Sequence, residues 1–228
     1  MSTSFWGNLD PQFNPFAEDE LSEIIRMTAT AWARMKQPFI SELEDSITFR
    51  VAGRIANDPD FAESPYDVIA QFWVLGLDGQ RLGRIDLRFQ HRHSKRLYFA
   101  FEAKRLHVRY PKGKFSTEYA TYAGPEGMMA FVDETYSKGF TAGGMLGYVM
   151  DGRSQDAVNG LQTKIEDKKA ELKLSPGTSL GSSGLARLPP TALSGTFLRE
   201  TSHQLSTHTL RMLHLIVPVA QAPGATGP

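Results

Sequence analysis

Three successive runs of strand-forming sequence, Val68 to Leu77, Arg81 to Gln90 and Arg96 to Lys104, are connected through the short segments Asp78-Gly79-Gln80 and Arg92-His93-Ser94. Connections that short close hairpins, so the runs are expected to lie antiparallel and side by side. Strand side chains alternate between two faces. In Gly83-Arg84-Ile85-Asp86-Leu87-Arg88-Phe89 the apolar face takes Ile85, Leu87 and Phe89, which leaves Asp86 on the polar face between Arg84 and Arg88. In Leu97-Tyr98-Phe99-Ala100-Phe101-Glu102-Ala103-Lys104 the pair Glu102 and Lys104 points one way, and Phe99, Phe101 and Ala103 point the other. If the two strands pair, two carboxylates and an ammonium meet on one surface. Those groups can hold a divalent cation and activate a water beside a phosphodiester. The plainer alternative is an exposed cross-strand ion pair.

The sequence before and after these runs is mostly helical in period. Leu21, Ile24, Ile25, Thr28, Trp32 and Met35 predict a helix over Glu18 to Lys36, and Ile40, Leu43, Ile47, Val51 and Ile55 a second from Phe39 to Asn57, stopped by Asn57-Asp58-Pro59-Asp60. A helix is expected from Glu126 to Lys138, with Met128, Met129, Phe131, Val132 and Tyr136 in it, then a buried strand over Gly143 to Met150. Ser154 is expected to cap a long helix whose stripe is Val158, Leu161, Ile165 and Leu172. Ser175 to Ser194, rich in Gly, Ser and Pro, reads as a flexible loop. Strands over Thr196 to Ser202 and Leu210 to Val219 follow, with a disordered tail at 221–228. The expectation is one α/β domain over 1–220.

Composition narrows the classes. A chain of 228 residues, 41% hydrophobic and 22% charged, is ordinary for a globular protein. The absence of cysteine excludes disulfides, thiolate metal sites and a cysteine nucleophile. No apolar run approaches a membrane span and the first residues lack a signal-peptide pattern, so a cytoplasmic protein is expected. Net charge is zero, yet between Arg81 and Lys114 the only acids are Asp86 and Glu102, among bases that include Arg84, Arg88, Arg105 and Arg109. Those four arginines are the candidate nucleic-acid contacts, since a basic segment attracts phosphate. The alternative is a solvated arginine-rich face. His91 and His93 read as exposed loop residues, and His203, His208 and His214 have no metal-ligand spacing. Gly144-Met145-Leu146-Gly147 lacks the dinucleotide spacing, and no Gly-x-Ser-x-Gly elbow is present.

The order helix, three antiparallel strands, helix, strand, with Asp86 followed by Glu102-Ala103-Lys104, resembles the PD-(D/E)xK nuclease superfamily over roughly Phe39 to Val149. The resemblance implies a restriction endonuclease-like α-β-β-β-α-β core, a mixed central sheet flanked by helices, here with an extra C-terminal helix and strands. It also implies that Asp86 and Glu102 bind Mg²⁺ or Mn²⁺ with help from the Ala103 carbonyl, and that Lys104 orients or deprotonates the attacking water with its own pKa pulled down by the cation. The chain departs from the pattern in carrying Ile85 where the family has proline. For the family's helix glutamate, Glu44 is the choice because it flanks the Leu43/Ile47 stripe, with Glu42 and Asp45 as competitors.

The function so implied is metal-dependent DNA endonuclease activity in restriction or anti-phage defence, by a homo-oligomer or a subunit of a larger complex. The competing expectation is a nuclease-like subunit that no longer cuts and binds nucleic acid or a protein partner. An RNA nuclease is a third.

Overall fold

The computed structural model describes residues 16–110, 113–136, 138–185 and 188–220. In chain order the elements are α1 (Glu18–Arg34), α2 (Glu44–Ala56), α3 (Pro59–Ala62), β1 (Tyr66–Leu75), β2 (Arg81–His91), β3 (Ser94–Leu106), β4 (Val108–Arg109), β5 (Phe115–Ser116), α4 (Tyr119–Tyr122), α5 (Met128–Val132), β6 (Ala142–Val149), α6 (Ser154–Asp167), β7 (Gly181–Ser182), β8 (Phe197–Gln204) and β9 (Thr209–Pro218). Seven strands form one mixed sheet in the order β1-β2-β3-β6-β9-β8-β7. The pairs β3/β6 and β6/β9 are parallel and the others antiparallel. Among the described residues no helix is long and apolar enough to cross a membrane.

Helices cover both faces, which gives two cores. On one side α1 and α2 bury Leu21, Ile24, Trp32, Ile47 and Val51 against Leu87, Phe89, Phe99, Phe101 and Ala103. Trp32 stacks on Tyr148 of β6 at 5.0 Å and donates its indole N–H to the Pro218 carbonyl at 2.9 Å. On the other side Tyr122, Phe131, Val158, Leu161 and Ile165 pack on Ile85, Leu106, Met145 and Ile216. β6 is buried along its whole length because it lies between these layers, as a parallel central strand must.

Several boundaries differ from the sequence expectation for local reasons. α2 begins at Glu44, not Phe39, and Phe39 and Leu43 are exposed, because the acidic pair Glu44 and Asp45 forms the first turn where the helix dipole favours it. The helix expected over Glu126 to Lys138 shrinks to the five residues of α5, with Gly127 at its N-cap and Glu134 in the left-handed region at φ 59° just beyond it. Ser154 is the first residue of α6 and not its cap; Arg153 holds the cap position, and Ser154 Oγ is buried with no hydrogen-bond partner among the described residues. Leu172 is buried as expected but lies past the helix end. Part of the expected flexible loop is fixed, since Gly181 and Ser182 pair with Glu200 and Arg199 and Leu180 is buried. The tail at 221–228 lies outside the described residues.

The C-terminal strands carry a buried chain of hydrogen bonds. His203 Nδ1 lies 2.7 Å from the Leu172 carbonyl, which can only accept, so Nδ1 carries the proton. Burial lowers the pKa of both His203 and His214, the latter to about 3, so both rings are neutral near pH 7. His203 Nε2 therefore accepts from Thr201 Oγ1 at 2.7 Å, Thr201 Oγ1 accepts from His214 Nε2 at 2.9 Å, and His214 Nδ1 accepts from the Tyr122 hydroxyl at 2.9 Å. His208 is likewise turned inward, with Nε2 2.9 Å from the Phe140 carbonyl. None of the three faces the acidic cluster described below. Thr201→Val should cost about 2–4 kcal/mol in denaturant unfolding by orphaning two imidazole nitrogens, and Thr201→Ser should restore most of it. Below the ordinary imidazole pKa of 6.5 the unfolded chain takes up protons that the fold excludes, so stability is full above 6.5 and falls with pH. His214→Phe should flatten that acid limb in a series of pH-dependent melts.

Candidate active site

The hairpin β1/β2 changes face part-way along. Register places Ala70 opposite Leu87 and Phe72 opposite Ile85, so Gln71 sits across from Asp86. Gln71 has φ 58°, a left-handed conformation in mid-strand. On its N-terminal side Val68 and Ala70 pack on the core beneath α1 and α2; on its C-terminal side Phe72 and Val74 pack on the opposite core. β2 follows, with Leu87 and Phe89 in the first core and Ile85 in the second. The expectation that Ile85, Leu87 and Phe89 share one apolar face is thus corrected: the outer half of the hairpin rolls over the sheet edge. Pairing of β2 with β3 stops at Leu87 and Phe101. Beyond that point Asp86 Oδ2 accepts the Ala103 backbone N–H at 2.9 Å, and Oδ1 accepts from Gln71 Nε2 at 3.0 Å.

Where β2 and β3 part, four side chains converge. Lys104 Nζ donates to Glu102 Oε1 at 2.6 Å and to the Ala103 carbonyl at 2.8 Å, and lies 3.4 Å from Glu44 Oε1 and 3.9 Å from Asp86 Oδ2. Glu44 arrives from the first turn of α2, and its other oxygen accepts the Arg105 backbone N–H at 2.8 Å. Its two sequence competitors point elsewhere. Glu42 is held by Arg50 at 2.7 Å and Asp45 by Arg84 at 3.1 Å. Asp86, Glu102 and Lys104 are only 3%, 4% and 7% exposed, so they do not form a solvent-facing ion pair.

One ammonium does not balance three carboxylates. Burial, followed by the charge of Asp86, lifts the Glu102 carboxyl well above its usual range even though Lys104 pulls it down. Burial also raises Glu44. For Lys104 burial opposes the charged form, but Glu102, Glu44 and Asp86 together outweigh it and the pKa is raised, the reverse of the direction expected beside a bound cation. Glu102 Oε2 and Gln71 Oε1 are buried with no hydrogen-bond partner among the described residues. Among the described residues no group of three or more His, Cys, Asp or Glu side chains is already drawn together in metal-ligand geometry.

The cluster forms the floor where two clefts meet. The larger, of about 510 Å³, is lined by Trp73, Leu82, Arg84 and Tyr136 as well as all four cluster residues; the smaller, of about 180 Å³, shares Glu44 and Lys104 and continues past Arg105, Tyr110 and Glu118. Tyr136 clasps the rolled hairpin, its hydroxyl accepting from Arg84 N–H at 3.3 Å and donating to the Arg84 carbonyl at 3.1 Å. Gly83 allows this approach, because a Cβ there would stand 2.6 Å from the Tyr136 ring.

The candidate nucleic-acid arginines separate. Arg84 and Arg105 line the two clefts, and Arg109 is exposed near Phe115. Arg88 is not a surface cation: it is 5% exposed, lies between the rings of Phe72 and Tyr98 at 4.0 and 4.1 Å, and donates to the Lys95 carbonyl. Burial pushes its pKa down. The reason is again the hairpin roll, which carries Phe72 onto the face where Arg88 points. His91 packs on Phe16 and His93 is exposed, both at the far end of the hairpin from Asp86.

Sequence reasoning missed Gln71, Trp73 and Tyr136. The signal for Gln71 was present, since it is the single polar residue in the apolar run Val68 to Leu75. Removing the Gln71 side chain gives a direct test of the strained backbone. Gln71→Gly should be more stable than Gln71→Ala by about 1 kcal/mol in denaturant unfolding, because glycine alone is at ease at φ 58°. Equal stabilities would show that the strand relaxes out of the left-handed conformation.

Compared with known protein families, curated proteins and solved structures, the chain matches none, so a functional reading rests on the geometry of this cluster.

Proposed function

We propose that the chain is a metal-dependent nuclease of the restriction endonuclease-like fold that hydrolyses phosphodiester bonds in DNA. The observation that carries this reading is the convergence of Glu44, Asp86 and Glu102 around Lys104 at the bottom of a cleft, with Glu102 Oε2 buried and unpartnered among the described residues. The order α2, β1, β2, β3, α4/α5, β6 and the parallel β3/β6 pair support it.

The donor set fits Mg²⁺ or Mn²⁺. Its atoms are hard oxygens, burial and then the charge of Asp86 raise the Glu102 pKa, and one buried carboxylate oxygen lacks a donor among the described residues. Asp86 and Glu102 would hold the ion, which when bound supplies Lewis-acid stabilisation of the phosphate and an acidified water. Asp86 is held ready for this by Gln71 and the Ala103 N–H. Glu44, fixed through the Arg105 N–H, places its other carboxylate oxygen beside Lys104. Lys104, whose ammonium donates to Glu102 and to the Ala103 carbonyl, would orient the attacking water by donating to it. Arg84 and Arg105 bind phosphates along the two clefts.

Cutting both strands of a duplex takes two such sites, which supports a homodimer or a catalytic subunit in a larger assembly. A place in restriction or anti-phage defence rests on the resemblance alone, and the cysteine-free composition fits a reducing compartment such as the cytoplasm. The 2.6 Å Lys104–Glu102 ion pair favours a second reading, a subunit that binds nucleic acid without cutting it.

Plasmid DNA incubated with the purified chain in Mg²⁺ should be cleaved, and EDTA should stop it. Glu102→Ala and Lys104→Ala should each abolish cleavage while circular dichroism shows a folded protein; wild-type cleavage by both would sink the site. Protonated Glu102 cannot ligate a cation, so stabilisation by Mg²⁺ in thermal melts should grow as pH rises through its elevated pKa and should vanish in Glu102→Gln.

A further inference from the structure

The larger cleft is walled by Trp73, Leu82 and Arg84, and the nuclease reading gives no role to the aromatic ring among them. Trp73 on β1 is 43% exposed there. The Arg81 guanidinium lies 4.3 Å from its ring centroid and that of Arg84 5.7 Å. Leu82, also exposed, continues the wall. Asp86 and Glu102 lie at the floor of the same cleft, almost wholly buried.

A phosphodiester reaches recessed carboxylates only if its strand drops into the cleft, whose volume of about 510 Å³ is on the scale of a small-molecule pocket. Bases inside a duplex have both faces covered by their neighbours and cannot stack on a wall. An unpaired base has a free face, and an aromatic side chain beside guanidinium groups is the pairing of chemistries that single strands use. We infer that this wall is a base-stacking subsite, in which an unpaired nucleobase of single-stranded DNA lies against the Trp73 indole while Arg81 and Arg84 meet the flanking phosphates. The inference rests on the nuclease reading for the polymer and supplies that reading with a substrate class. Stacking is tolerant of base identity, so the subsite selects strandedness and not sequence.

The test uses the full chain carrying Glu102→Gln, in Mg²⁺, with fluorescence anisotropy of three labelled probes: a single-stranded 12-mer, the same sequence as a duplex, and a 12-mer whose sugars carry no bases. Adding Trp73→Ala should weaken single-strand binding by roughly tenfold, with the duplex and the baseless strand unchanged. Trp73→Phe should restore most of the loss. Circular dichroism guards against misfolding, since Trp73 is half out in solvent. Equal losses on all three probes, no loss on the single strand, or no DNA binding at all would overturn the subsite. The two readings fail separately. Trp73-dependent single-strand binding by a wild-type chain that never cuts would overturn the nuclease and keep the subsite. Cleavage indifferent to Trp73 would do the reverse.

Discussion

The Asp86 carboxylate accepts one hydrogen bond from each strand that flanks its own, from Gln71 on β1 and from the Ala103 backbone on β3. These two bonds sit where the hairpin leaves the sheet. Without them the parting of β2 from β3 would leave a buried amide N–H without its acceptor, at a cost of about 1–3 kcal/mol. With them, the strands separate while their polar groups stay satisfied. The clefts, the roll of the hairpin onto Tyr136, the burial of Arg88 and the gap in which Lys104 meets three acids all follow from that separation.

The charge in that gap explains how the cluster is built. Buried ions are expensive, and removing one member of a buried pair costs about 3–5 kcal/mol because the other is left unbalanced. Lys104 is the one cation among three carboxylates, so its loss is more disruptive than the loss of any single acid. Glu44 and Asp86 offset part of the burial cost through backbone amides, each accepting one from β3. Glu102 has no partner on Oε2 among the described residues, and burial, followed by the charge of Asp86, lifts its carboxyl well above the usual range.

Much of this was legible in the sequence. Alternation along β3 placed Glu102 and Lys104 together, because that strand is straight where it pairs with β6. The stripe of α2 put Glu44 near the core edge, and the structure brings it to the cluster while Arg50 and Arg84 take Glu42 and Asp45. The places where reading failed share a cause. Arg88 and Ile85 were assigned to faces by counting in twos, and counting fails where the hairpin turns over at a residue in the left-handed region. The start of α2 and the short α5 depended on which backbone groups found partners, which periodicity does not report. Ser154 has the composition of a cap, yet chain geometry gave the position to Arg153.

Gln71 has a further consequence for how copies of the chain can meet. β1 is an outer strand of the sheet, and a long regular outer strand offers a row of free amides and carbonyls to any passing strand. The left-handed turn at Gln71 breaks that row into two short halves facing different ways. A passing strand therefore finds no continuous edge along β1 to pair with, although the strand is ten residues long.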